Sequence, residues 1–158
     1  MTNLTNLTNF RLDLVYREYV RETIPCRGLV VRAVRVAWPL LRVQRGKTAE
    51  LAVTIVGPAR MRALNRKWRK VDRPTDVLSF PLQQPAIAGY TAVSLGDLFI
   101  CPSVVRAKAR AWGRPVRAQM KWTIVHGLLH LAGYDHERGA RRAARMAAEE
   151  RRLLKRIG

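Results

Sequence analysis

The chain has 158 residues, enough for one domain with a real core, and its 48% hydrophobic fraction argues against general disorder. Its 30 Lys and Arg against 11 Asp and Glu give a formal net charge of +19. A surface that basic attracts polyanions, with affinity for nucleic acid falling steeply with salt, although an arginine-rich composition alone would raise the charge without any partner.

Residues 1–9 repeat Thr-Asn-Leu and predict a flexible tail. They lack the charged-then-apolar order of a signal peptide, so the protein is expected in the cytoplasm, with its folded domain over 10–158. Phe10, Leu12 and Leu14 alternate with Arg11 and Asp13, the period of a half-buried strand. After Pro25 a helix is expected, with Leu29, Ala33, Val36 and Leu40 on its apolar stripe, closed by Pro39 and Arg45-Gly46. The run Leu29 to Leu41 is the most apolar, but Arg32 and Arg35 interrupt it, so no membrane span is expected. Cys26 and Cys101 are too few for a disulfide framework.

Glu50 to Val56 is β-branched and apolar, and predicts a central strand. Gly57-Pro58 ends it and opens a helix to about Trp68 that buries Met61 and Leu64. A basic loop, Arg69 to Asp76, leads into a short strand, Val77 to Phe80, stopped by Pro81. Residues 82–95 show little periodicity and predict a loop. Gly96 to Cys101 predicts a further strand, and Pro102 starts a helix to about Trp112. A helix from Val116 to Ala132 follows, and another from about Arg138. The last has Ala143, Met146, Ala147, Leu154 and Ile157 inward, with Arg138, Arg141, Arg145, Arg152 and Arg156 outward. The expected fold class is α+β: a single domain with a small mixed four-stranded sheet and about five helices.

All three histidines lie in His126-Gly-Leu-Leu-His130-Leu-Ala-Gly-Tyr-Asp-His136. The first two are four residues apart in a helical run, so they stand about 40° apart around the axis and leave one face. Gly133 supplies the left-handed residue that ends a helix, and the turn can bring His136 back. Three imidazoles without a nearby thiolate describe an open zinc site, and open sites do chemistry. Asp135 could complete the coordination, or support a ligand histidine, or simply shape the turn. The same spacing occurs in metzincin metalloproteases, where a glutamate follows the first histidine as general base. Here that position is Gly127, which cannot take a proton. A phosphodiester is a better-suited target, because a guanidinium can clamp its developing charge. Arg66, Lys67, Arg69, Lys70 and Arg73 would serve if the fold brings them near the histidines.

Residues 126–136 resemble the signature of the YbeY endoribonucleases, the rRNA maturation factors of bacteria. Leu64-Asn-Arg-Lys-Trp-Arg69 with Asp72-Arg-Pro-Thr-Asp-Val-Leu-Ser-Phe-Pro81 resembles the family's second block, and Leu95-Gly-Asp-Leu-Phe-Ile100 its third. Gly57-Pro58 departs from it, standing where the family is associated with acidic residues. The resemblance implies one zinc ion per chain on His126, His130 and His136, and a role in activity for Arg69. It further implies single-strand-specific endoribonuclease activity, 16S rRNA 3′-end maturation and ribosome quality control. The expected partners are rRNA and the small ribosomal subunit with its proteins, with Arg66, Lys67, Lys70 and Arg73 as RNA contacts. The alternatives are a ribosome-assembly binding protein with a structural zinc and, weakened by Gly127, a metzincin-like protease.

Overall fold

The structure is a computed structural model that describes residues 11–20, 26–43, 46–82, 91–137 and 139–158. Four strands form one sheet: β1 (Leu12–Glu18), β2 (Thr48–Ile55), β3 (Val77–Pro81) and β4 (Ala92–Ile100), in the order β1-β2-β4-β3. β1 and β4 run parallel to β2, whereas β3 is antiparallel to β4. Five helices are present among the described residues: α1 (Cys26–Ala37), α2 (Pro58–Arg69), α3 (Pro102–Ala111), α4 (Val116–Leu131) and α5 (Ala140–Ile157). The expected mixed-sheet α+β fold is therefore observed, with the apolar β2 at an interior place in the sheet. None of these helices is long and apolar enough to cross a membrane. The tail expected over 1–9 lies outside the described residues.

α4 lies at the centre of the packing. It touches α1, α3, α5, β3 and β4, and Met120, Ile124, Val125, Leu128 and Leu129 are fully buried. A helix apolar around most of its circumference is stable only inside such a shell. Gly127 lets it come close to the sheet. A Cβ there would stand 2.9 Å from Leu98 Cδ2 and 3.0 Å from Val77 Cγ2. The Ser79 hydroxyl donates to the Gly127 carbonyl at 3.1 Å, fixing β3 against the helix at that point.

Asp76 locks the entrance of β3. The residue is 3% exposed, and its carboxylate receives Lys108 Nζ at 2.7 Å from α3 and the Thr123 hydroxyl at 3.3 Å from α4. Its carbonyl accepts from the Cys101 amide at 2.9 Å. A buried carboxylate satisfied from two elements resists any shift of β3 relative to α4.

Three expectations need correction. Residues 92–95, expected in a loop, belong to β4, because Gly96 marks a bulge inside the strand and not its start. The β2–β4 register shifts between Glu50 and Leu51, leaving Leu95 as the extra residue. Gly96 has φ +114°, and a Cβ on it would meet the Phe80 carbonyl at 2.1 Å. In α1 Leu29 and Ala33 are buried as expected, together with Cys26, Val30, Val34 and Ala37, whereas Val36 and Leu40 are only half-buried against the core. The helix stops at Ala37, and Trp38-Pro39-Leu40 tightens into a 3₁₀ turn, so Leu40 leaves the helical phase. In α5, Leu153 joins Met146 and Ile157 as the buried side, where Ala143 and Leu154 are only half-buried. Arg138 lies outside the described residues.

Candidate metal centre and cleft

His126 and His130 leave α4 on one side, with ring centroids 4.7 Å apart. The helix then ends in a Schellman turn. Gly133, at φ +86°, donates its amide to the His130 carbonyl at 3.0 Å, and the Tyr134 amide reaches the Leu129 carbonyl at 2.9 Å. That reversal returns His136 to within 5.1 Å of both rings. One ligand nitrogen from each of the three lies within 4.8 Å of the others, so the cluster could hold a metal ion.

The donor set fits a cation on two counts. His126 Nδ1 is 2.6 Å from the Glu150 carboxylate, with both side chains largely buried. A proton donated there leaves Nε2 with its lone pair, and Nε2 stands 3.2 Å from His130 Nε2. Two nitrogens each about 2.0–2.1 Å from one tetrahedral zinc ion are roughly 3.3 Å apart. Burial, reinforced by His126 and His136 and opposed by Asp135, lowers the His130 imidazole from 6.5 to about 4. At neutral pH it is therefore the uncharged base a metal needs. Trp122, one turn before His126, stacks on its ring at 4.6 Å and shields that side.

His126 and His130 open into a cleft of about 730 Å³ walled by α2, β3, α4, the segment after it and Arg142 of α5. Of the five basic residues predicted from the sequence, Arg69 lines this cleft, where it forms an ion pair with Glu137. Arg66, Lys67, Lys70 and Arg73 lie on exposed surface of α2 and the following loop. Lys67 sits over the Trp68 ring at 5.0 Å, Lys70 donates to the Lys67 carbonyl, and the Arg73 carbonyl takes the Asn65 amide at 2.7 Å. The loop is tied back by a two-pronged Arg62–Asp72 pair at 2.7 and 2.9 Å. Trp68 and Phe80 meet edge to face at 5.7 Å and give the cleft an aromatic wall.

Asp135 accepts the Glu137 amide at 2.8 Å, the turn-shaping role among those open to it. The carboxylate on His126 is instead Glu150, which sequence reasoning missed. A signal existed: Glu150 is an acid at helical spacing from Met146, Leu153 and Ile157, on the buried side of an otherwise Arg- and Ala-rich helix.

Fold and site together define an α+β protein whose central helix and the turn after it present a three-histidine cluster fit to hold a metal ion. The sequence profile of the family described as Endoribonuclease YbeY matches residues 24–158. An Endoribonuclease YbeY from Halorhodospira halophila is 47% identical over 114 residues, 72% of this chain and 73% of that protein. Another, from Anaeromyxobacter sp., is 50% identical over 103 residues, covering 64% of this chain and 52% of that protein. The solution structure of a Thermotoga maritima protein shares the fold at a TM-score of 0.62 and 23% identity, covering 92% of this chain and 89% of that one. The chain belongs to the YbeY endoribonuclease family.

Proposed function

We propose that this chain is a zinc-dependent endoribonuclease that cuts single-stranded RNA. We place it in the cytoplasm, in 16S rRNA 3′-end maturation and ribosome quality control on the small subunit. The observation that carries the reading is that Arg69 lines the same cleft as His126 and His130, two members of the three-histidine cluster. Family membership supplies the substrate class, and the net charge of +19 suits a polyanion.

Cleavage adds water across one P–O bond and places negative charge on the non-bridging oxygens. A bound zinc ion would polarise a phosphoryl oxygen and lower the pKa of water. His126, His130 and His136 would hold it, with Glu150 keeping the His126 ring in the required tautomer and orientation. Arg69 donates to the developing charge. Its pair with Glu137 is about half exposed, and exposed pairs contribute only about 0–1 kcal/mol, so a phosphate can displace the carboxylate at small cost. Arg66, Lys67, Lys70 and Arg73 act as outer contacts for the strand rather than at the reacting phosphate.

The test is cleavage of a labelled single-stranded RNA by Arg69→Ala. The variant should keep its metal and lose rate; unchanged turnover would remove Arg69 from the mechanism. A second reading has its own support, since His136 lies beyond the helix that bears His126 and His130, and an ion shared by them would also pin the α4–α5 connection. If chelation unfolds the protein, that structural role gains over the catalytic one.

A further inference from the structure

Behind the turn that closes the histidine cluster lies a second recess, of about 270 Å³. It shares Gly133, Tyr134, Asp135 and Arg142 with the metal cleft, so the two are continuous around one wall. Arg42 and Arg145 complete its basic lining. Arg142 and Arg145 are three residues apart on α5 and share a face, while Arg42 arrives from the far side, after the 3₁₀ turn. The Arg145 guanidinium lies over the Tyr134 ring, 5.3 Å from its centroid, which fixes it at the rim.

Solvated arginines of a basic protein have no reason to converge in a concavity, because like charges repel there more than on an open surface. These three do so from segments about a hundred residues apart in the sequence. Arg42 holds a left-handed backbone, φ +54°, a conformation that side chains other than glycine seldom adopt. Among the described residues neither Arg42 nor Arg142 has a carboxylate in an ion pair. The acid in the wall, Asp135, gives one oxygen to the Glu137 amide. The recess is therefore left with excess positive charge beside a cleft that takes a phosphodiester.

We propose that Arg42, Arg142 and Arg145 form a phosphate subsite, which binds a phosphodiester of the same RNA strand next to the one held at the metal centre. This rests on the nuclease reading above. Guanidinium groups suit the role because they pair with two phosphate oxygens at once and hold the strand in one direction through the cleft.

The probe is a fluorescein-labelled phosphorothioate RNA dodecamer, compared with a dinucleotide too short to reach the recess, both titrated into the zinc-loaded protein across a salt series. Arg42→Gln and Arg145→Gln should each weaken dodecamer binding several-fold. Each should also lower the slope of log affinity against log salt by about 0.7 for every phosphate the protein no longer neutralises. Dinucleotide binding should not change, and on a cleavable strand KM should rise while kcat holds. Arg145→Lys should restore the slope, which a mere folding defect would not allow. Unchanged dodecamer slopes and KM in both variants would overturn the proposal. So would loss of polyglutamate binding with RNA binding intact, which would assign the recess to an acidic protein segment. Failure of the nuclease reading would show separately, as a wild-type protein that cleaves no RNA whatever the binding slopes.

Discussion

The two nitrogens of His126 face different partners, Glu150 on one side at 2.6 Å and His130 on the other at 3.2 Å. Carboxylates in the Glu150 position set ring orientation and raise ligand basicity, and their loss costs about 10–100-fold in metal affinity. Glu150→Ala should therefore lower zinc affinity by about that factor in a chelator competition, with Glu150→Gln intermediate because its carbonyl oxygen still accepts from Nδ1. Equal affinity in all three proteins would make the contact incidental. His130 gives a pH prediction. Its folded pKa, about 4, lies below its unfolded 6.5, so the unfolded chain binds the proton more readily within that interval. The stability it contributes is complete above the interval and is lost as pH falls through it. In metal-free protein, NMR titration should show the His130 ring protonating only well below pH 6.5, and His130→Ala should flatten the fall in melting temperature. A ring that titrates near 6.5 would contradict this. The histidines were legible in the sequence because helical spacing and a C-terminal glycine are local signals. Glu150 was hidden because its partner lies on another helix, and Asp135, nearer in sequence, drew the supporting role.

α4 has to be slim at one place to carry the site. Gly127 gives up helix propensity so that β3 and β4 can sit against the backbone between His126 and Leu128. Gly127→Ala would gain about 1 kcal/mol of propensity and lose about 1–3 kcal/mol to overpacking against Leu98 and Val77. The expected net is a loss of up to about 2 kcal/mol in urea unfolding. Gly127→Glu should be far worse, since its carboxylate would be buried among apolar side chains, and it should not create casein digestion. A stable Gly127→Glu protein would overturn the packing account. Helix and strand types were readable from periodicity and from the prolines that open α2 and α3. What the sequence hid was phase and length. The 3₁₀ turn at Trp38–Leu40 takes Leu40 out of the α1 phase, and Gly96 resembles a strand boundary although it lies at a bulge whose need appears only opposite the Phe80 carbonyl.

At the scale of the molecule, the basic residues divide by what surrounds them. Arg69 lines the cleft, Arg142 the wall that cleft and recess share, Arg42 and Arg145 the recess, and Arg66, Lys67, Lys70 and Arg73 occupy open surface. No sequence pattern separates these sets, because the division depends on how α2, α5 and the turn after α1 meet around α4. Salt should act on all of them through phosphate contacts, whereas only loss of the histidine cluster should remove both metal and chemistry. The decisive measurement is zinc content together with single-turnover cleavage of a single-stranded RNA by wild type and His130→Ala, each chelated and then reloaded with zinc. Wild type should lose cleavage on chelation and regain it with zinc, and folded His130→Ala should neither retain stoichiometric zinc nor cleave. Cleavage that persists in folded, zinc-free protein would contradict the assignment of the metal centre to catalysis.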